Sequence, residues 1–419
     1  MNNPLTQGKP ELLAPAKNLE RLKVAIAYGA DAVYLGGQKY GLRARADNFT
    51  DYNLAQGVVF AHERNAKVYV TLNAFLHDAD FEGLEEYCQF LESINVDAVI
   101  VSDLGVVRFI RKCSNLNIHL STQASCLNSS AACLWKEMGV KRLIVGRELP
   151  ISEAGAIRER SGIDVEMFAH GAMCMAYSGH CTISNFTAGR DSNRGGCIQS
   201  CRLPYHLERN AHEEGTRKDL VSFMSSRDLW GIYQIGEFSN HRICSLKIEG
   251  RMKSSFYVAI TCKVYRQLID AYAAGTLNAD LLNKAATELA SVPNRDYFSG
   301  SLDTPAGRDS VFRQESGINT GNQQYLGIVM DSTSQDIVLR IFEPIAVGDE
   351  IEVVPFQGEA IRWKVKDLFS VTGEGREFMR QESIVRLSKA DASTRSHEIA
   401  KFNVVRVAQP AFLPVANAV

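Results

Sequence analysis

ELLAPAKNLERLKVAIAYGADAVYLGG, residues 11–37, holds a complete strand–helix–strand unit. A short apolar run at 12–14 ends in small residues. Asn18 then opens a stretch whose apolar residues recur at helical spacing and which closes near Gly29, and a second apolar run follows at 32–35. Working outward, the pattern recurs through residue 260. Further strands are predicted at 68–72, 98–101, 118–121, 143–145, 165–168 and 245–248, with amphipathic helices such as FEGLEEYCQFLESIN, LGVVRFIRKCS, SSAACLWKEMGV and ISEAGAIRERSG between them. Strands alternating with helices imply a parallel sheet, and eight such units imply a closed (β/α)8 TIM-like barrel. An open doubly wound sheet is the competing arrangement. Against it, no G-x-G-x-x-G follows the first strand.

The remainder divides by texture. Residues 1–275 are assigned to the barrel, and a helix is predicted from Tyr265 to about Ala274. Residues 276–322, ending in the Gly- and Asn-rich GINTGNQQ, read as a helical and loop linker. From residue 323 short alternating strands such as DIVLRIF and DEIEVVPF predict a small all-β barrel or sandwich, a shape that often holds RNA. Its Arg362, Lys364, Lys366, Arg376 and Arg380 could track phosphate, although acidic residues are interspersed.

Composition narrows the function classes. The chain has 419 residues, a formal net charge of −2 and 22% charged residues. No global basic field is available, so nucleic-acid contact needs a local patch. The start, MNNPLTQGKPELLAPA, lacks the features of a signal peptide, and no apolar run approaches a membrane span. A cytoplasmic protein is expected, where ten cysteines are a poor disulfide framework.

Four of those cysteines gather between the seventh and eighth strands. Cys174, Cys181, Cys197 and Cys201 lie in GAMCMAYSGHCTISNFTAGRDSNRGGCIQSCRLPY, within a loop spanning about residues 170–205. Free cysteine favours apolar burial, whereas these neighbours are Gly, Ser, Asn and Arg. Structural zinc prefers closely spaced knuckles, which only Cys197 and Cys201 approach. An iron–sulfur cluster accepts four thiolates at irregular spacing. Arg190, Arg194 and Arg202 could offset cluster charge or face a polyanion. His170 and His180 flank the first pair as candidate ligands or proton donors. On a barrel, loops after strand C-terminal ends carry the chemistry, which puts the cysteines on the catalytic face.

Three segments together, residues 11–37, EMFAHGAMCMAYSGHCTIS and SLKIEGRMKS, resemble the collagenase-like peptidase family thirty-two, from about Glu11 to Tyr265 and on into the β domain. In length and C-terminal domain the chain is similar to the tRNA wobble-uridine hydroxylases of that family. The resemblance implies that Cys174, Cys181, Cys197 and Cys201 ligate a 4Fe–4S cluster. It implies C5 hydroxylation of uridine in the tRNA anticodon region, with prephenate as co-substrate and an electron-donor protein as a further partner. Related family members hydroxylate rRNA cytidine or a ubiquinone precursor.

A dicarboxylate co-substrate needs Arg or Lys. Strand ends supply Arg43, Arg45, Arg147, Lys247 and Arg251, with Asn73, Gln123 and Glu148 as hydrogen-bonding candidates. Lys247 and Glu249 alternate by two and share a strand face, so with His170 and His180 they form the catalytic candidates. The competing expectation is a polar layer of internal salt bridges. Tyr177 and Phe186 could stack on an unstacked base. The alternatives are a metal-dependent peptidase, for which neither H-E-x-x-H nor G-x-S-x-G is present, and an RNA-binding protein with structural zinc.

Overall fold

The computed structural model describes residues 9–42, 48–207, 219–305, 321, 323–389 and 395–408. Strands β1 (Glu11–Pro15), β2 (Ala32–Leu35), β3 (Lys67–Leu72), β4 (Ala98–Val101), β5 (Ile118–Leu120), β6 (Arg142–Ile144) and β7 (Asp164–Ala172) pair in chain order, all parallel. A hairpin of β8 (Tyr205–Leu207) and β9 (Asp219–Val221) and then β10 (Asp228–Trp230) intervene before β11 (Ser245–Ile248). Strand β11 pairs in parallel with both β7 and β1 and closes the eight-stranded ring. The open-sheet alternative is thereby excluded.

Helices α1 (Leu19–Ala27), α2 (Asp51–His62), α3 (Leu84–Ser93), α4 (Leu104–Cys113), α5 (Ser129–Glu137) and α6 (Ile151–Ser161) alternate with the first seven strands. Their starts are written in single residues. Asn18, Thr50, Asp103 and Asn128 each accept the backbone N–H three residues on, an N-cap contact that contributes about 1 kcal/mol. The short strands β2, β4, β5 and β6 are buried at every position, as both faces of a covered parallel sheet require.

The insertion after β7 carries α7 (Ile183–Ala188), and α8 (Ile235–Asn240) leads into β11. Strand β10 runs antiparallel along the far end of β7, pairing Trp230 with His170 and Asp228 with Ala172. Two boundaries differ from expectation. Helix α9 (Ser255–Ala273) begins ten residues before Tyr265, because the Ser254 side chain caps it through Tyr257 N–H. Within the supposed linker, α10 (Ala279–Leu289) packs on α9, and β12 (Tyr297–Phe298) pairs with β10. Leu289 and Val292 are fully buried in the barrel's core, so this segment extends the barrel.

The C-terminal unit comprises β13 (Tyr325–Ser332), β14 (Asp336–Ile341), β15 (Ile345–Ala346), β16 (Glu350–Val354), β17 (Ile361–Lys364), β18 (Leu368–Ser370), β19 (Phe378–Met379), β20 (Ile384–Ser388) and β21 (Val404–Val407). Seven of these form an antiparallel sheet ordered β17-β16-β21-β13-β14-β20-β18. The two edge strands, β17 and β18, are joined by only residues 365–367, so the sheet curls until its edges approach. It encloses a core that includes Ile337, Leu339, Val353, Trp363 and Leu387.

Candidate functional site

One cavity of about 220 Å³ opens at the C-terminal ends of the barrel strands. Its wall alternates between strand and loop. Tyr34 comes from β2, Thr71 from β3, Phe168 from β7 and Lys247 from β11. Asn73, Ser121, Gln123, Arg147, Glu249 and Arg251 follow strand ends. Cys174, Cys181, Cys197 and Cys201 all line the same cavity.

The floor is a chain of ion pairs along the barrel axis. Lys247 Nζ lies 2.9 Å from Glu166 Oε1 and 4.3 Å above the Tyr34 ring. Glu166 Oε2 lies 3.1 Å from Arg142 Nη1, which reaches Glu11 Oε1 at 2.6 Å. Tyr69 and Ser245 hydroxyls donate to Glu11 at 2.7 and 3.0 Å. Despite burial, Arg142 holds the Glu11 carboxyl below its ordinary range. Both expectations for Lys247 therefore meet in one side chain. It belongs to an internal salt-bridge layer, and its ammonium also faces the cavity.

Above this floor sit two arginines. Arg147 stacks on Phe168, with its guanidinium carbon 3.6 Å from the ring centre, and its Nη2 lies 3.8 Å from Glu249 Oε2. The Tyr34 hydroxyl donates to Ile248 O at 3.0 Å and lies 3.3 Å from Glu249 Oε2. Arg251 donates from Nη1 to Thr71 Oγ1 at 3.3 Å. A Cβ on Gly36 would lie 3.0 Å from that same Nη1, so glycine at 36 makes room for the guanidinium. Asn73 donates to Ser121 Oγ at 3.3 Å. These groups offer cations and directional donors around a space whose wall is otherwise mainly apolar, suited to an anionic or hydrogen-bonding ligand.

The cysteine loop is fixed by its own arginines. Arg194 Nη1 reaches Phe75 O at 2.7 Å and Asp80 Oδ2 at 2.8 Å, clamping the loop to the segment after β3. Asn193 Nδ2 donates to Cys181 O at 3.1 Å. Arg202 turns inward and donates to Met173 O at 2.6 Å and Ser226 O at 2.7 Å. Gly179, at φ +81°, lies so close to Gln123 O that a Cβ would sit 1.9 Å from it. Cys174 is accessible from the cavity, yet burial pushes its thiol pKa up, opposed by Arg147 and Arg202. Burial raises Cys201 likewise, opposed by Arg202, and the other three thiols lie within its electrostatic reach. Four thiols facing one cavity beside cations are a donor set that fits a thiolate-ligated group. Among the described residues, no three His, Cys, Asp or Glu side chains converge as a single metal ion requires.

Other sequence candidates fall elsewhere. His170 is fully buried on β7 outside the cavity lining, its ring packed among Tyr257, Tyr265 and Tyr297. Burial pushes its pKa down to about 3. His180 is exposed and does not line the cavity. Glu148 accepts Ser178 N–H at 2.9 Å and anchors the loop. Tyr177 is 57% exposed and lines the cavity, whereas Phe186 is 94% exposed away from it. Arg43 and Arg45 lie outside the described residues. In the β domain, Arg362 and Arg376 pair with Glu352 and Glu374. Sequence reading missed Tyr34, Thr71 and Ser121. All three sit on or at the ends of predicted strands, where inward alternation could have found them.

Among the described residues, no helix is long and apolar enough to cross a membrane. Known proteins resemble this chain over most of its length. It is 44% identical over 355 residues to tRNA hydroxylation protein P1 of Bacillus subtilis, covering 82% of this chain and 83% of that one. It is 33% identical over 352 residues to the 23S rRNA 5-hydroxycytidine synthase of Escherichia coli, covering 82% of this chain and 52% of that one. A collagenase of Porphyromonas gingivalis is 31% identical over 304 residues, covering 69% and 72%. The profile of Peptidase family U32 matches residues 17–311, a span that contains every strand of the barrel from β2 to β11 and all four clustered cysteines. With that span matched and with relatives this similar over most of its length, the chain belongs to Peptidase family U32.

Proposed function

We propose that this protein is an RNA hydroxylase of the cytoplasm. It oxidises the wobble uridine of tRNA at C5, with a 4Fe–4S cluster on Cys174, Cys181, Cys197 and Cys201 and with prephenate as co-substrate. The observation that carries this reading is the shared cavity. The four thiols and the cationic residues Arg147, Lys247 and Arg251 face one space at the barrel mouth. The names of the relatives in B. subtilis and E. coli, both RNA hydroxylation proteins, support it.

Replacing hydrogen by hydroxyl at C5 is a two-electron oxidation, and a cluster held on the quartet supplies redox capacity that no side chain has. The chain's own residues do the rest. Arg251, braced by Thr71, binds one carboxylate of the co-substrate, and Arg147, held flat on Phe168, orients the other. Asn73 and Gln123 hydrogen-bond the edge of an unstacked base, and Tyr177 stacks on its face. The Glu249 carboxylate, held beside Tyr34 and Arg147, accepts the proton that leaves C5. Lys247, paired with Glu166 at 2.9 Å, contributes positive charge to the floor. Prephenate is the oxidant that balances the step: its hydroxyl oxygen passes to C5, and its own carbon takes up the two electrons and a proton in exchange, so the electron-donor protein serves only to set the working oxidation state of the cluster.

The test is nucleoside mass spectrometry of tRNA from cells lacking this protein, complemented with wild type, Cys174→Ala or Arg251→Ala. Wild type restores 5-hydroxyuridine-derived nucleosides, whereas Cys174→Ala gives none and Arg251→Ala at least tenfold less. Unchanged wobble nucleosides in the deletion strain, with no redundant enzyme, reject the reading. Anaerobic purification gives iron and sulfide in the wild type and neither in Cys174→Ala. A colourless protein whose peptide cleavage survives loss of the cysteines establishes the peptidase instead.

A further inference from the structure

Three arginines flank the cysteines in sequence, and the fold gives each a different setting. Arg194 is neutralised by Asp80 at 2.8 Å. Arg190 is half-buried and does not line the cavity. Arg202 faces inward, and its hydrogen bonds end on neutral oxygens: Met173 O, Ser225 Oγ, and Ser226 O and Oγ. It lies within electrostatic reach of Cys174, Cys201 and Arg295. Lys253, donating to Pro293 O at 3.0 Å, joins the same group and is repelled by Arg295 and Arg202. Among the described residues, one fully buried carboxylate, Asp228, pairs with Arg295 and lies within electrostatic reach of Arg202 and Lys253. Asp228 Oδ1 is 3.6 Å from Arg295 Nη1, and its Oδ2 accepts the Arg295 backbone N–H at 3.1 Å. Glu249, the next carboxylate near Lys253, already faces Arg147. Burial pushes Lys253 below its ordinary pKa range. Among the described residues, positive charge is thus held in a largely buried cluster beside the cysteine loop with less negative charge than would match it, an arrangement that is costly unless an anion completes it.

We propose that Arg202, Lys253 and Arg295, around the carboxylate of Asp228, form a largely buried cationic seat for negative charge on the cysteine quartet, with Arg202 as the positioning residue that ties this seat to the loop. The inference rests on the reading that the quartet holds an iron–sulfur cluster. Four thiolates on a 2+ core leave two negative charges, the same magnitude as the excess of three cations over one carboxylate. Net charge near such a centre tunes its reduction potential. Each cation of the seat favours the added electron, so removing one lowers the potential.

The experiment is a dithionite titration of the full-length protein, purified anaerobically and followed by electron paramagnetic resonance and visible absorption. Lys253→Met lowers the one-electron reduction constant about tenfold, which is 59 mV more negative. Arg202→Met does the same and also loosens the loop, seen as faster proteolysis. Arg202→Lys keeps the charge and loses the forked contacts, so it leaves the potential near wild type while still loosening the loop. Loaded Lys253→Met and Arg202→Met proteins at the wild-type potential overturn the seat. If every Arg202 variant fails to load, Lys253→Met and Arg295→Met decide by the same shift. A wild-type protein that loads no iron fails earlier. It rejects the cluster reading, and the seat falls with it.

Discussion

At the scale of single residues, the family motif contains two histidines, and the fold separates their settings. His170 looks catalytic in sequence because it stands four residues before Cys174. In the fold its Nδ1 lies 3.4 Å from the Tyr265 hydroxyl, and its Nε2 is buried with no hydrogen-bond partner among the described residues. The side chain is a neutral packing element. Its depressed pKa has a definite sign in linkage. Below about pH 6.5 the unfolded chain takes up a proton that the folded chain refuses until about pH 3. Stability therefore falls with decreasing pH across that window, by about 1.4 kcal/mol per pH unit from this group alone. His170→Phe removes the term and keeps an aromatic ring among the tyrosines, while Tyr265 retains its bond to Ala169 O at 2.7 Å. Between pH 6 and 4, urea midpoints of the variant should depend less steeply on pH than wild type by that amount. Parallel pH profiles would mean that His170 is protonated in the folded protein.

At the scale of elements, the barrel was legible because its signals are local. Eight apolar runs, each followed by a polar or small residue and most by a helix, map onto β1–β7 and β11 within a few residues. The cysteine quartet was legible from composition, and its place at the barrel mouth followed from the break in spacing. What sequence could not show depends on contacts distant in the chain. Strand β12 is two residues long and exists only because β10 offers it an edge. Likewise, Lys247 is claimed by Glu166, 81 residues away. The insertion itself is seated by close approach, and Gly179 is the tightest point. Alanine there combines an unfavourable left-handed backbone, about 1–2 kcal/mol, with a clash against Gln123 O. Gly179→Ala should displace the loop while the barrel persists. Tryptic cleavage after Arg190 and Arg194 should accelerate at least tenfold with an unchanged far-ultraviolet spectrum. Equal cleavage rates would show that the loop is not held through this contact.

At the scale of the whole molecule, the two units share buried structure. Ile328, Val354 and Val404 of the β domain belong to the same apolar cluster as the barrel helices. Phe256 stacks on Tyr325 with ring centres 5.4 Å apart, and Arg406 bridges Glu288 and Glu352 at 2.8 Å each. The centre of this seam is one hydroxyl. Tyr28 Oη donates to Val354 O at 2.6 Å and accepts the Val404 N–H at 2.9 Å, all in buried surroundings. Tyr28→Phe leaves a backbone donor and a backbone acceptor unpaired across the seam, at about 1–3 kcal/mol for each group. A seam this apolar, pinned by a buried hydroxyl that bonds two strands at once, should make the units unfold together, so wild type should show one calorimetric transition. Because the substitution weakens only the connection, Tyr28→Phe should lower that transition and broaden or split it. Two separated transitions already present in the wild type would mean that the barrel and the β domain are energetically independent. The β domain would then be a tethered module, and its position beside the barrel could not be used to guide RNA to the cavity.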